Sequence, residues 1–157
     1  MAAEWDVRWL EEPVSSDDVD GLRLVRDRAP AAMDVAAGEY GYLLQDFRRW
    51  LEAGAVDCLQ ADVTRCMGIT GLLRVDGLCE AHGVDLSGHC SPNLSVHPFS
   101  ACSRLRHLEY FHDHVRIERM LFGATLDPDG GTLRPDRARP GHGLELKRAD
   151  AEHYRVV

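Results

Sequence analysis

The chain has 157 residues, 45% of them hydrophobic, enough for one domain with a buried core and too many for a disordered tail. Eighteen Lys and Arg against 26 Asp and Glu leave a formal charge of −8, so the basic surplus that drives nucleic-acid binding is lacking. The longest run free of Asp, Glu, Lys and Arg, 86–103, holds two His, two Pro and five Ser and is too polar to span a membrane. Residues 1–12 carry acids and two tryptophans where a secretory leader needs a basic start and an apolar run, so the expected location is cytoplasmic. Cys58, Cys66, Cys79, Cys90 and Cys102 are odd in number and contain no Cys-x-x-Cys pair; they read as reduced, mostly buried thiols.

Short apolar stretches alternate with longer amphipathic ones, the pattern of repeated β-α units around a parallel sheet. In chain order, a strand at 7–11 leads to a helix near 17–26, started by Ser15 and Ser16. A strand at 33–39 precedes a helix at 43–53 that stops at Gly54, and a strand at 56–62 precedes a helix at 69–82 that stops at Gly83. A strand at 84–89 is followed by a weaker helix near 94–103, interrupted by Pro98, and the fifth strand covers 105–110. His112, Asp113 and His114 suggest a metal cluster, but two histidines two apart just after that strand read as a rim loop contacting substrate or solvent. Helical periodicity ends after Met120, and 127–143, rich in Pro, Gly, Asp and Arg, reads as loop or extended chain.

The five strands end on Glu11, Glu39, Asp62, His89 and Glu109, at intervals of 28, 23, 27 and 20 residues. In a barrel of parallel strands such ends meet on the C-terminal rim, where the fold places its chemistry. Side chains two apart share a strand face, so Val7, Trp9 and Glu11 point one way, as do Val35, Ala37 and Glu39, and Cys58, Gln60 and Asp62. For any single strand-end charge, the plain alternative is that it marks the point where burial stops.

Read with their neighbours, these ends resemble the C-terminal half of an enolase-superfamily barrel, closest to the mandelate racemase and muconate lactonizing enzyme branch. The matching stretches are Trp9-Leu10-Glu11-Glu12-Pro13, Ala37-Gly38-Glu39-Tyr40, Gln60-Ala61-Asp62 followed by Gly68-Ile69-Thr70-Gly71, Leu86-Ser87-Gly88-His89, and His107-Leu108-Glu109. The segment Arg139-Pro140-Gly141-His142-Gly143-Leu144-Glu145 is similar to the family's ending. The resemblance implies an α/β fold, a partial TIM-type barrel of parallel strands. It also implies removal of the proton next to a carboxylate, with the resulting enediolate held by Mg²⁺. By the same resemblance Glu11 and Glu39 are metal ligands, His89 is the general base, Asp62 orients it, and Glu109, protonated, donates to the substrate carboxylate. Glu12 becomes a loop or supporting residue, and Cys66 and Cys90 are read as packing.

The resemblance also implies parts that these residues do not supply. A full barrel has eight strands in about 250 residues, against five here, with a third metal carboxylate, a Lys-x-Lys strand and a capping domain besides. Residues 1–126 are therefore expected to form a partial barrel domain, with 127–157 an extended tail that packs on the capping domain. Met67 stands where the family commonly has Gly, and Asp85 charges a strand that is normally apolar. Two functions stay open: an acid-sugar dehydratase or racemase/epimerase acting on a sugar acid or 2-hydroxy acid, incomplete in this chain and joined by an N-terminal half or a second copy; or a non-catalytic module that keeps these residues by descent.

Overall fold

The computed structural model describes residues 2–156. After a 3-10 turn at Ala2–Trp5, strands and helices alternate: β1 (Trp9–Glu11), α1 (Val19–Arg28), β2 (Asp34–Ala37), α2 (Leu44–Glu52), β3 (Cys58–Ala61), α3 (Gly68–His82), β4 (Asp85–Gly88), α4 (Pro92–Phe99), β5 (Leu105–Leu108) and α5 (His112–Leu121). A short hairpin of β6 (Phe122–Gly123) and β7 (Glu145–Leu146) and a last helix, α6 (Arg148–Glu152), complete the chain. The strands β1 to β5 form one parallel sheet in sequence order. All five expected strands and four expected helices are present. His112, Asp113 and His114, read above as a rim loop, instead open α5.

The sheet's outer face carries the core. In α2, Phe47, Trp50 and Leu51 recur at helical spacing and are buried. They join Leu22 of α1, Leu72, Val75 and Cys79 of α3, and Phe99 of α4 against Leu59, Ala61 and Leu86 of the strands. Asp18 caps α1 by accepting from the Gly21 amide at 2.9 Å, and Gly83, with φ 67°, ends α3. Gly71 lets α3 approach the preceding turn, since a Cβ there would lie 1.7 Å from the Cys66 carbonyl oxygen. Asp85 sits at the start of β4 and pairs with Arg104 at 2.6 Å, so its charge stays at the sheet's end.

The sheet curls as a barrel wall does. In a flat five-stranded sheet the first and last strands stand about 19 Å apart, four spacings of about 4.8 Å. Here the Trp9 ring of β1 meets the His107 ring of β5 edge-on, centroids 4.7 Å apart. Arg106 of β5 also reaches Asp34 of β2 at 2.5 Å and lies over the Trp9 ring. The concave face thus gathers Trp9, Gln60 and His107, and the C-terminal strand ends open above it.

The tail turns back on the chain's own α5. The Lys147 amide donates to the Leu121 carbonyl at 2.8 Å, and its Nζ to that of Arg119 at 2.7 Å. Asn93, almost fully buried, donates to Glu118 and accepts from the Leu126 amide, which ties α4, α5 and the following loop together. Among the described residues, no helix is long and apolar enough to cross a membrane.

Candidate active site

Each expected site residue lies at or just past a strand's C-terminal end. Glu11 closes β1 and accepts from Trp9 Nε1 at 2.8 Å, a consequence of the shared strand face. Glu39 follows β2 by way of Gly38, whose φ of 132° and close approach to the Gln60 carbonyl exclude a side chain there. Asp62, His89 and Glu109 each stand one position past β3, β4 and β5.

The structure links three of these five groups directly and a fourth, Glu109, through Cys90. His89 Nδ1 lies 2.9 Å from Asp62 Oδ2, and its Nε2 lies 2.9 Å from Glu39 Oε2. Asp62 is 2% exposed and takes two further hydrogen bonds on Oδ1, from the Thr64 amide at 2.7 Å and its hydroxyl at 2.6 Å. Glu109 accepts from Gln60 Nε2 and from the Cys90 amide, both at 3.1 Å. Glu11 is held by Trp9 and meets the network through its charge.

Electrostatics follow from this crowding. Burial works against a charge on His89, but the Asp62 hydrogen bond and the charges of Glu39 and Glu109 outweigh it and raise its pKa. Glu109 is pushed up to about 7, by burial first; the Cys90 amide opposes this, and the Glu11 and Glu39 charges add to it. Asp62 is also opposed by burial, yet its bonds to His89 and Thr64 hold it below the usual carboxylate range. Glu12, whose Oε1 accepts from the Gly38 amide at 3.0 Å, is raised by burial and by the charges of Glu39 and Glu11. The carboxylates thus outnumber the nearby cations, and their hard oxygen donors suit Mg²⁺. Glu11, Glu12 and Glu39 carry such oxygens at this rim.

Sequence reasoning missed three neighbours. Arg65 spans the site, 3.6 Å from Asp62 Oδ2 and 3.7 Å from Glu39 Oε1, with its guanidinium over the Tyr40 ring. Its place in a helix-entry turn gave no periodic signal. Gln60 was assigned to the inward face, but its bond to Glu109 joins residues 49 apart. Cys90, read as packing, has its Sγ 3.2 Å from His89 Nε2. Phe111 and His114 stand across from His89 and line a pocket of about 300 Å³ with it.

A family model for the enolase C-terminal domain-like proteins matches residues 1–151 of this chain. The chain belongs to that family. It is 35% identical to the L-rhamnonate dehydratase of Saccharopolyspora erythraea, across 92% of this chain and 38% of that one. A mandelate racemase/muconate lactonizing enzyme-like protein from Rubrobacter xylanophilus superposes with a TM-score of 0.92 at 58% identity, covering 97% of this chain and 42% of that one. A Bradyrhizobium enolase complexed with magnesium and mandelic acid superposes with a TM-score of 0.87 at 28% identity, over 99% of this chain and 41% of its own. This enolase C-terminal domain-like chain therefore spans 38% to 42% of the length of these relatives, and its five strands are part of a TIM-type barrel.

Proposed function

We propose that this chain supplies the base and part of the metal site of an enzyme that removes the proton α to a carboxylate, an acid-sugar dehydratase or a racemase/epimerase. The observation that carries the reading is His89 hydrogen-bonded to Asp62 through Nδ1, with Nε2 turned toward Glu39 and Glu109 close by.

Asp62 holds the Nδ1 proton, so Nε2 is the nitrogen that takes up a proton, and the same carboxylate stabilises the imidazolium that forms. Burial pushes the Glu109 carboxyl up to about 7, which favours its protonated form, and in that form it can donate to a substrate carboxylate as charge moves onto it. Glu11 and Glu39 would hold Mg²⁺, which supplies positive charge where the enediolate's negative charge grows. Arg65 keeps Glu39 and Asp62 in place without removing either from the site.

The substrate class, a sugar acid or 2-hydroxy acid, is supported by the L-rhamnonate dehydratase and mandelate-bound relatives. Among the described residues no strand pairs with the outer edges of β1 and β5, which can take further strands from the N-terminal part of a longer protein or from a second copy. Leu146 and Tyr154, 48% and 60% exposed, favour the segment 127–157 as a surface that packs on a capping domain. Five free thiols fit a reducing compartment, the cytoplasm.

The test is to assay water loss from a panel of aldonates, aldarates and mandelate-like acids with Mg²⁺. The chain is assayed alone and joined to the N-terminal part of the Rubrobacter relative. The expected result is no turnover alone and turnover when joined. Inactivity of a well-folded joined protein on the whole panel would instead favour a non-catalytic module.

A further inference from the structure

We propose that His89, Cys90 and Glu109 form a second cation site, selective for a thiophilic divalent ion of the Zn²⁺ type and distinct in its donor set from the oxygen donors Glu11 and Glu39, the second of which touches His89. The three offer an imidazole nitrogen, a thiol sulfur and a carboxylate oxygen, all within 4.8 Å of one another. Sulfur and nitrogen ligands of a tetrahedral zinc ion, at about 2.3 and 2.0 Å from the metal, stand about 3.5 Å apart. Cys90 Sγ and His89 Nε2 are already 3.2 Å apart. Little rearrangement separates this pair from a zinc-ligand geometry.

The supporting contacts also suit a metal. A ligating histidine commonly gives its other ring N–H to a carboxylate, and here Asp62 takes Nδ1 while Thr64 fixes Asp62. Glu109 is anchored by Gln60 and by the Cys90 amide. Cys90 itself has a φ of 51°, a left-handed conformation that side chains other than glycine seldom adopt, and its carbonyl is tied by the Ser95 hydroxyl at 3.1 Å. That backbone aims its sulfur at the ring. Asp113 and His114 line the same pocket, which leaves room for a water or a fourth side chain.

Softness sets the selectivity: thiolate and imidazole favour Zn²⁺ over Mg²⁺, which prefers carboxylate oxygens. On binding, the Cys90 thiol proton and the Nε2 proton that Glu39 accepts are both released to solvent as the sulfur–metal and nitrogen–metal bonds form. The charges of Glu39, Asp62 and Glu109 offset the dication. The site stands on these side chains and not on the proposed reaction. If that reaction is also correct, a bound thiophilic ion occupies the base nitrogen and stops it.

The experiment adds Co²⁺ to the purified chain in excess Mg²⁺ and follows the sulfur-to-cobalt charge-transfer absorption, a readout independent of activity. The expected result is a band that saturates at one equivalent, is displaced by Zn²⁺, is lost in Cys90→Ser and is unchanged in Cys102→Ser. Affinity should fall about tenfold or more in Glu109→Gln. No band in the folded wild-type chain, or a band that survives Cys90→Ser, overturns the site. Should Cys90→Ser fail to fold by circular dichroism, Glu109→Gln decides, and unchanged cobalt affinity there overturns it.

Discussion

Asp62 Oδ2 lies 2.9 Å from His89 Nδ1, although 27 residues separate the two in sequence. Parallel pairing of β3 with β4 in register, Ala61 beside Gly88, brings the residue after each strand into contact. Their chemistry is thus a direct result of strand register, which a one-residue slip would destroy.

Removing the Asp62 carboxylate should cost stability, because it is buried and satisfies Thr64 and His89. Asp62→Asn is expected to destabilise the chain by about 1–3 kcal/mol at neutral pH in urea unfolding. Its folded pKa is depressed, so the carboxylate's contribution is full above the unfolded value, near about 4, and is lost as pH falls through the folded one. The gap between wild type and variant should therefore close in acid; a gap that is constant with pH would contradict the argument.

Alkaline pH should act through the thiols. Burial pushes Cys58 and Cys66 up to about 11 and Cys79 and Cys102 up to about 12. A raised folded pKa contributes stability that is full below the unfolded value and is lost as pH rises toward the folded one. Unfolding midpoints should fall above about pH 9, and iodoacetamide at pH 8 should label these four thiols far faster in denaturant than in the folded chain. Fast labelling of Cys79 in the folded chain would refute this.

Met67 initiates α3 with φ 65° and ψ 32°, left-handed values that a side chain resists, and it is 45% exposed with little packing to lose. Met67→Gly should stabilise the chain by about 0.5–1 kcal/mol, the relief of strain less the entropy glycine adds to the unfolded state. Thermal unfolding checks it: a lower midpoint would show that the Met67 side chain packs to an advantage.

Asp76 is a buried carboxylate on α3 that accepts from the Ser103 amide and hydroxyl and the Arg104 amide, at 2.8, 3.1 and 2.9 Å. It fastens the loop that leads into β5 and so positions Glu109. Asp76→Ala should cost about 1–2 kcal/mol in urea unfolding, since it removes three hydrogen bonds to a buried carboxylate, whereas Asp76→Asn, which keeps an acceptor, should cost less. Equal losses in the two variants would contradict that account.

The strands and their end residues were legible because parallel pairing needs apolar runs, and each run stops at a charged or histidine side chain where the sheet meets the site. The start of α5 was missed because His112, Asp113 and His114 fill its first turn and Val115 is its one fully buried residue, which leaves only a thin apolar stripe to read. Arg65, Gln60 and Cys90 were invisible as site residues for another reason. Their partners, Glu39, Glu109 and His89, are fixed by the curl of the sheet and by left-handed turns, and periodicity encodes neither. The same holds for Met67, where the expected departure from glycine proved to be a backbone conformation.

The central claim, that His89 is the base, is tested most directly by exchange of the substrate α-proton in D₂O. The chain is joined to the N-terminal part of the Rubrobacter relative, and exchange is followed by NMR with Mg²⁺ and the sugar acid that turns over fastest. His89→Asn should reduce exchange by about 10²-fold or more while leaving the folded circular dichroism spectrum intact. Exchange in His89→Asn at the wild-type rate would contradict the account.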